Sequence, residues 1–275
     1  YLGGKYISYT EEKPITMNPF NITQAELNIE KIDFLKNLIL LIWKGSDTKI
    51  TEREFRIVEQ MVTDYYDAYF HGFDGYDPVQ RENLHKTLIA AEKRKGRWNA
   101  ENLPELEQKV DSKIRLLEER RKALKVNSLS FNTFYEYSCE RLELICLENN
   151  ITEIDYDKYT YMIQPFYKGG NYDKILNENV DTTLFSETFI VFEVDAIKEN
   201  KKLFPIVTLI IMDVFLQKMR IKKNRKVLVI EEAWKAIASP LMAEYIKFMY
   251  KTARKFWASV GVVTQEIQDI IGSEI

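Results

Sequence analysis

The chain has 275 residues, of which 45% are hydrophobic and 29% carry a charge. This length fits one large domain or two small ones of roughly 150 residues each, with the composition of an ordinary globular protein. The formal net charge of −3 excludes a global positive field that would attract nucleic acid. The longest apolar run, residues 204–216, contains Asp213 and is too short for a membrane span of about 20 residues.

Residues 1–22 predict short strands and turns, and the apolar alternation at 5–9 is typical of a strand. A helix is then expected over about 23–43, because Thr23 is a suitable N-cap and Glu26 follows at the capping-box spacing. The apolar residues of this segment recur at helical spacing, which supports the assignment.

A second helix is expected over about 51–70, where Thr51 and Glu54 repeat the capping signature. Amphipathic periodicity predicts further helices at about 103–125 and 132–149. The last of these carries both cysteines of the chain. Seven residues apart on one helix, they would lie about 10 Å from each other, beyond the roughly 7 Å limit for a disulfide. We therefore expect reduced thiols, as in a cytosolic protein.

The nearly continuous helical block over 23–150 interrupts the alternation of strands and helices that an α/β chain shows. We predict an α/β core made of residues 1–22 and 151–275, with residues 23–150 forming a helical subdomain inserted into the sheet or packed beside it. Two interpretations of this subdomain remain open: a plain structural bundle, or a lid that contacts a partner or substrate.

Strand and helix patterns alternate again after residue 151. Short strands are expected at 161–163 and 189–194, and a helix from Pro205 to about residue 223. That helix is apolar over most of its circumference, so we expect it to be deeply buried. A further helix is expected at about 240–256.

Two adjacent acids follow the most strand-like segment of the chain. The run at 226–230 predicts a parallel strand buried on both faces, and Glu231 and Glu232 come directly after it. Open α/β sheets bind ligands at the carboxyl ends of their strands. A carboxylate pair there suits nucleotide hydrolysis, with one acid for Mg²⁺ and one for the attacking water. This is the Walker B pattern, with Glu231 where Asp is more usual.

A second predicted strand, at 259–264, ends in Thr264-Gln265. The Gln265 amide can hydrogen-bond water and a phosphate oxygen together, which suits a sensor of the γ-phosphate. Arg254 and Lys255 precede this strand at the end of a predicted helix. They fit either a phosphate-stabilising cation or a basic last turn that favours the helix dipole.

These motifs together resemble the ATPase core of the TraG-type conjugation proteins, the type IV secretion motors related to the HerA and FtsK translocases. The resemblance is carried by Val229-Ile230-Glu231-Glu232-Ala233-Trp234, Arg254-Lys255, Thr264-Gln265, Gly3-Gly4-Lys5-Tyr6, Met17-Asn18-Pro19-Phe20, Tyr167-Lys168-Gly169-Gly170-Asn171-Tyr172 and Phe189 to Val194. Over about residues 30–150 only the helical character matches.

The resemblance implies a RecA-like P-loop NTPase core with an incomplete, mostly parallel sheet, and Mg-ATP hydrolysis in the parent protein. It implies that Glu231 binds Mg²⁺, directly or through water, and that Glu232 activates the attacking water. It implies that Gln265 senses the γ-phosphate. It also implies that Arg254 stabilises the charge on the transferred phosphate, within the subunit or across a ring interface. It also implies a hexameric ring and contacts with other type IV secretion subunits, at the cytoplasmic face of the inner membrane.

No Gly-x-x-x-x-Gly-Lys-Ser/Thr string is present in the chain. We therefore expect a fragment that begins after the P-loop and hydrolyses ATP poorly or not at all by itself. Two other functions remain open: a non-catalytic scaffold of the secretion machinery, or a HerA-like DNA translocase. The basic run at 93–98 offers a local contact for DNA phosphates, although a solvated loop has the same pattern.

Overall fold

The computed structural model describes residues 3–46, 48–96, 102–232 and 239–264. Within these ranges the chain forms four strands and nine α-helices. In chain order they are β1 (Lys5–Ser8), α1 (Ile29–Lys44), α2 (Glu52–Phe70), α3 (Pro78–Lys95), α4 (Leu103–Ala123), α5 (Phe131–Glu148), α6 (Tyr156–Ile163), α7 (Asp173–Asn177), β2 (Ile190–Glu193), α8 (Leu203–Ile221), β3 (Lys226–Ile230), α9 (Pro240–Ala253) and β4 (Ala258–Val262).

The strands form two parallel pairs, β1 with β2 and β3 with β4, which agrees with the predicted α/β class and strand direction. In the described part of the chain they are two separate sheets rather than one. Gly4 lets the first pair form, since a Cβ at this position would lie 2.8 Å from the carbonyl oxygen of Phe189. That same oxygen accepts a hydrogen bond from the Lys5 amide at 2.9 Å.

The first helix begins later than the sequence predicted. Thr23 and Glu26 do interact, with the Glu26 carboxylate accepting hydrogen bonds from the Thr23 amide and hydroxyl at 2.8 Å, but they close an isolated turn. The side chain of Asn28 caps α1 instead, accepting from the Lys31 amide at 3.0 Å. The capping box predicted at Thr51 is present and starts α2.

The strand predicted at 161–163 is wrong, because these residues end helix α6. The Asp155 side chain caps this helix at the Lys158 amide. Tyr159 and Ile163, four residues apart, are both fully buried. The ring of Tyr159 meets the ring of Trp43 edge to face at 5.2 Å. Packing on α1 therefore decides the conformation of a segment whose short apolar run fits both structures.

Helix α8 is buried almost all round, as predicted, and packs against α1 and α9. Its one acid, Asp213, is also buried and pairs with the Lys31 ammonium of α1 at 2.8 Å. The Gln217 amide donates a second hydrogen bond to Asp213 at 2.8 Å. A buried charge is tolerated only when it is paired and hydrogen-bonded, so this contact fixes how α8 lies on α1.

The Asn-Pro-Phe segment connects the first strand to the helical block. Phe20 is fully buried and its ring stacks on Phe134 at 4.9 Å. Its carbonyl oxygen accepts a hydrogen bond from the Tyr66 hydroxyl at 2.9 Å. The amide of Asn18 donates to the Leu129 carbonyl at 2.9 Å. This segment, which the sequence tied to a family, therefore has a structural part in joining α2 and α5.

The hydrophobic core crosses the predicted domain boundary. Buried side chains of α1, α2 and α5 belong to the same cluster as those of α8 and α9. Helices α3 and α4 form a second, smaller cluster against Leu144 of α5. The division into residues 1–22 plus 151–275 and residues 23–150 stays a prediction. None of the described helices has the length and apolar character needed to cross a bilayer.

Both cysteines are free thiols, as predicted. Burial raises the pKa of the Cys139 thiol to about 11 and also raises the pKa of Cys146. Both side chains are therefore protonated and poorly nucleophilic at neutral pH, which fits a packing role.

A fully buried arginine links α2 to α5. The Arg141 guanidinium donates to Asp64 at 2.7 Å and to both oxygens of Glu148 at 2.8 and 2.9 Å. Arg121 of α4 donates to the second oxygen of Asp64 at 2.9 Å, and the Tyr76 hydroxyl donates to Glu148 at 2.6 Å. The network joins three helices and the loop that precedes α3.

We expect Arg141→Met to lower the free energy of unfolding by about 3–5 kcal/mol, because Asp64 and Glu148 lose their buried partner. The matched control is Arg120→Met, which removes an arginine that pairs with carboxylates on the surface, and should cost at most about 1 kcal/mol. Urea titration followed by far-UV circular dichroism measures both values. Equal losses in the two variants would contradict a structural role for the buried network.

Candidate functional site

The third and fourth strands end at the same edge of their sheet. Their parallel register runs from Lys226 opposite Ala258 to Ile230 opposite Val262. One further bond continues the ladder, from the Val263 amide to the Ile230 carbonyl at 2.9 Å. The residues that follow the two strands therefore start from neighbouring positions, about 4.8 Å apart across the sheet.

The predicted site residues fall on this edge as far as the structure describes them. Glu231 and Glu232 follow β3, and Thr264 follows β4 after Val263. The prediction that these two strand ends are neighbours is confirmed up to Thr264. Gln265 lies outside the described residues, as do residues 233–238. We call the edge formed by Glu231, Glu232 and Thr264 the acidic edge.

The two acids differ in exposure and in backbone conformation. Glu231 is exposed, whereas Glu232 is half-buried. Glu232 has a φ of 49°, in the left-handed region that costs a residue with a side chain about 1–2 kcal/mol. Strain of this kind concentrates at functional positions, where the surrounding structure holds it. The second acid therefore departs from the extended backbone of the strand that precedes it.

A lysine that the sequence analysis missed lies near this edge. Lys198 follows β2 and pairs with the Asp195 carboxylate at 2.5 Å. That hydrogen-bonded pair raises the pKa of Lys198, and the charge of Glu232 adds to the effect. The segment after β2 is thus brought within electrostatic reach of the end of β3. The sequence signal that could have identified Lys198 is an acid followed three residues later by a lysine, directly after a strand.

The prediction that the third strand is buried on both faces is wrong for the described chain. Leu228 and Ile230 pack against the core, but Val227 is 67% exposed and Val229 is 56% exposed. The reason is that helix α9 packs on one face of this two-stranded sheet. An alternating pattern of burial results, as in a sheet covered on one side.

Arg254 and Lys255 lie at the opposite end of the sheet from the acids. They form a short 3₁₀ turn between α9 and β4, and both are exposed. A five-residue strand rises roughly 16 Å from one end to the other, since each residue adds about 3.3 Å. Arg254 therefore lies about one strand length from the acidic edge of its own chain. Its predicted contact with phosphate, within the subunit or across a ring interface, and its alternative as a basic last turn stay predictions.

Three cavities in the structure lie away from the acidic edge. Their volumes are about 540, 360 and 240 Å³, and they lie between α2 and α5, beside Asp64 and Arg121, and around residues 164–171. Neither Glu231 nor Glu232 lines any of these three. Across the described residues, no three His, Cys, Asp or Glu side chains come together as a metal site.

A comparison with family models identifies the family of this chain. The sequence model of the TraG P-loop domain matches residues 1–103 and 68–275, which together span the chain. The chain belongs to this family of P-loop domains. This confirms the resemblance seen in the sequence motifs.

Two known proteins are similar to this chain, one in sequence and one in fold. It is 32% identical to the type IV secretion system protein CagE of Helicobacter pylori over 99 residues, which are 36% of this chain and 10% of CagE. The structure of VirB4 from Thermoanaerobacter pseudethanolicus has a TM-score of 0.56 and 16% identity, and the match covers 98% of this chain and 59% of VirB4. The chain therefore spans only part of either relative, and VirB4 supports its fold alone.

We expect Glu232→Gly to relieve the left-handed strain, because glycine populates positive φ without a steric penalty. The matched control is Glu231→Gly, which lies next to it without a positive φ and should lose about 0.5–1 kcal/mol to chain entropy. Chemical denaturation should find Glu232→Gly more stable than Glu231→Gly by about 1–2 kcal/mol. If Glu231→Gly is the more stable of the two, the second acid is not held in a strained conformation.

Proposed function

We propose that the protein containing this chain is a motor of a type IV secretion system with a RecA-like core, in which Mg-ATP hydrolysis drives channel assembly or substrate transfer. Membership of the TraG P-loop family and the likeness to CagE support the secretion role. The observation that supports the hydrolytic part is the parallel register of β3 and β4, after which the acidic pair and Thr264 follow at one edge.

At the acidic edge, each residue is given one role. The Glu232 carboxylate orients and accepts a proton from the attacking water, as the water-positioning residues of P-loop enzymes do. The exposed Glu231 carboxylate offers the hard oxygen ligand that suits Mg²⁺, directly or through a water. Bound with ATP, Mg²⁺ neutralises phosphate charge. The Gln265 amide contacts the γ-phosphate, and the phosphate-binding lysine comes from a P-loop elsewhere in the protein.

Arg254 is assigned to a neighbouring subunit's nucleotide. Its position a strand length from Glu232 supports this choice, because an arginine supplied across an interface stabilises the charge on the transferred phosphate. The assignment requires a ring, which we propose to be hexameric. We also propose that the ring contacts other secretion subunits and lies peripherally at the cytoplasmic face of the inner membrane.

In the full-length protein, Glu232→Gln should abolish ATP turnover while nucleotide binding is retained, since the amide cannot accept the proton of the attacking water. Glu244→Gln on the first turns of α9 is the matched control and should leave turnover unchanged. Phosphate release and calorimetric titration with ATP measure the two properties. Full turnover in Glu232→Gln would refute the water-activating role, and no turnover in the unaltered protein would favour a non-catalytic scaffold.

Mixing two inactive full-length proteins tests the placement of Arg254. Arg254→Ala and Glu232→Gln should each be inactive alone. Mixed in one ring, they should regain hydrolysis, because some sites combine an intact Glu232 with an intact arginine from the next subunit. Phosphate release across a range of mixing ratios measures the recovery. If no ratio restores activity, Arg254 acts within its own subunit or has no part in hydrolysis.

A further inference from the structure

The end of the sheet opposite the acidic edge is strongly basic. Residues 218–226 lead into β3 at this end and residues 247–255 lead towards β4, and neither segment contains an acidic residue. Together they carry ten cations: Lys218, Arg220, Lys222, Lys223, Arg225, Lys226, Lys247, Lys251, Arg254 and Lys255. In a chain whose net charge is −3, this is a local concentration of charge of the opposite sign.

Strand pairing brings the two segments together. The Lys226 amide donates to the Trp257 carbonyl at 3.1 Å, and the Lys226 ammonium donates to the Phe256 carbonyl at 3.1 Å. Arg225 and Trp257 therefore come directly before the paired residues Lys226 and Ala258. We define the amino-edge cluster as Lys222, Lys223, Arg225, Lys255 and Trp257, together with the adjacent Ile221.

The four cations of this cluster are exposed and have no counter-ion. In the part of the chain that the structure describes, none of their side chains makes a hydrogen bond or an ion pair. Their neighbours differ, because Lys218 donates to the carbonyls of Leu184 and Glu187, and Arg220 pairs with Glu30. A role in balancing the dipole of α8 accounts for Lys218 and Arg220 in its last turn. It does not account for the three cations that lie beyond the end of that helix.

Two large apolar side chains stand among the cations. Trp257 is 70% exposed and Ile221 is 63% exposed. Trp257 also has a φ of 57°, which is an outlier conformation for a bulky residue. The tight turn before β4 thus holds an indole out towards solvent at some conformational cost, which is the kind of observation that points to function.

We propose that the amino-edge cluster docks on a membrane surface that carries anionic phospholipids. Lysine and arginine side chains are attracted to the negative headgroups, and each lowers the binding free energy enough for about a fivefold gain in partitioning. An indole settles at headgroup level, and an aliphatic side chain beside it gains by leaving water. The combination of four unpaired cations with an exposed tryptophan and isoleucine matches this surface in charge and polarity.

Nucleic acid fits the same cluster less well. Proteins that bind single strands align several aromatic rings along a positively charged groove. Here a single indole stands beside an isoleucine, and none of the three cavities described above includes these residues. The inference deepens the peripheral location put forward under the proposed function. Lys222, Lys223 and Arg225 have no part in the hydrolysis proposed there, so the two proposals can be tested apart.

Flotation of the chain with phosphatidylcholine vesicles, with and without phosphatidylglycerol, tests the proposal. The unaltered chain should float only with the phosphatidylglycerol vesicles. Replacing Lys222, Lys223 and Arg225 by alanine should lower partitioning roughly a hundredfold, at about fivefold for each cation. The matched control replaces residues 93–95 by alanine, since these are also three exposed cations at the end of a helix, and it should keep binding.

The apolar part is tested by Trp257→Ala, which should weaken partitioning several-fold, against Tyr161→Ala, another exposed aromatic, which should not. Circular dichroism confirms that each variant is folded. The proposal would be overturned if the unaltered chain did not float or if the two triple variants lost binding equally. Binding to a single-stranded oligonucleotide but not to vesicles would also overturn it. Hydrolysis by the full-length protein without vesicles should be unchanged in the Lys222, Lys223 and Arg225 variant, so this proposal and the ATPase proposal can fail separately.

Discussion

The in-register parallel pairing of β3 with β4 gives the sheet two chemically different ends. Every hydrogen bond of this ladder, through the last one between Val263 and Ile230, aligns the strands so that their carboxyl ends coincide. A slip of one residue would exchange the buried and exposed faces of β3 and separate the acids from the Thr264 end. The acidic edge and the amino-edge cluster are consequences of this one register.

The helical part of the molecule is fixed by buried charges as well as by apolar packing. The Lys31–Asp213 pair sets α8 against α1, and Arg141 holds α2 to α5 through Asp64 and Glu148. Such pairs recover the cost of desolvation only when their geometry is well satisfied. They therefore favour one arrangement of the helices over other arrangements that would bury similar apolar area. That arrangement supports α9, which packs on the sheet.

Strain is placed at both ends of the sheet, at Glu232 and at Trp257. At the acidic edge the strained residue is the acid that we assign to the attacking water. At the other end it is Trp257, whose exposed indole stands among unpaired cations.

Local interactions allowed the sequence to predict much of this structure. The capping box at Thr51, the apolar circumference of α8 and the five residues of β3 were all found, because each depends on neighbours within one or two turns. The acidic pair was found for the same reason. The family resemblance was drawn from these and similar short motifs.

Contacts between distant segments decided the rest. Packing on Trp43 made residues 156–163 helical, and the Asn28 cap placed the start of α1. The approach of Lys198 to Glu232 and the exposure of Val227 depend on which segments lie beside the strand ends and faces. The sequence by itself therefore determined which elements form and which carry the acids. Only the tertiary structure decided which of them meet, because burial and charge pairing act through space between residues that are far apart along the chain.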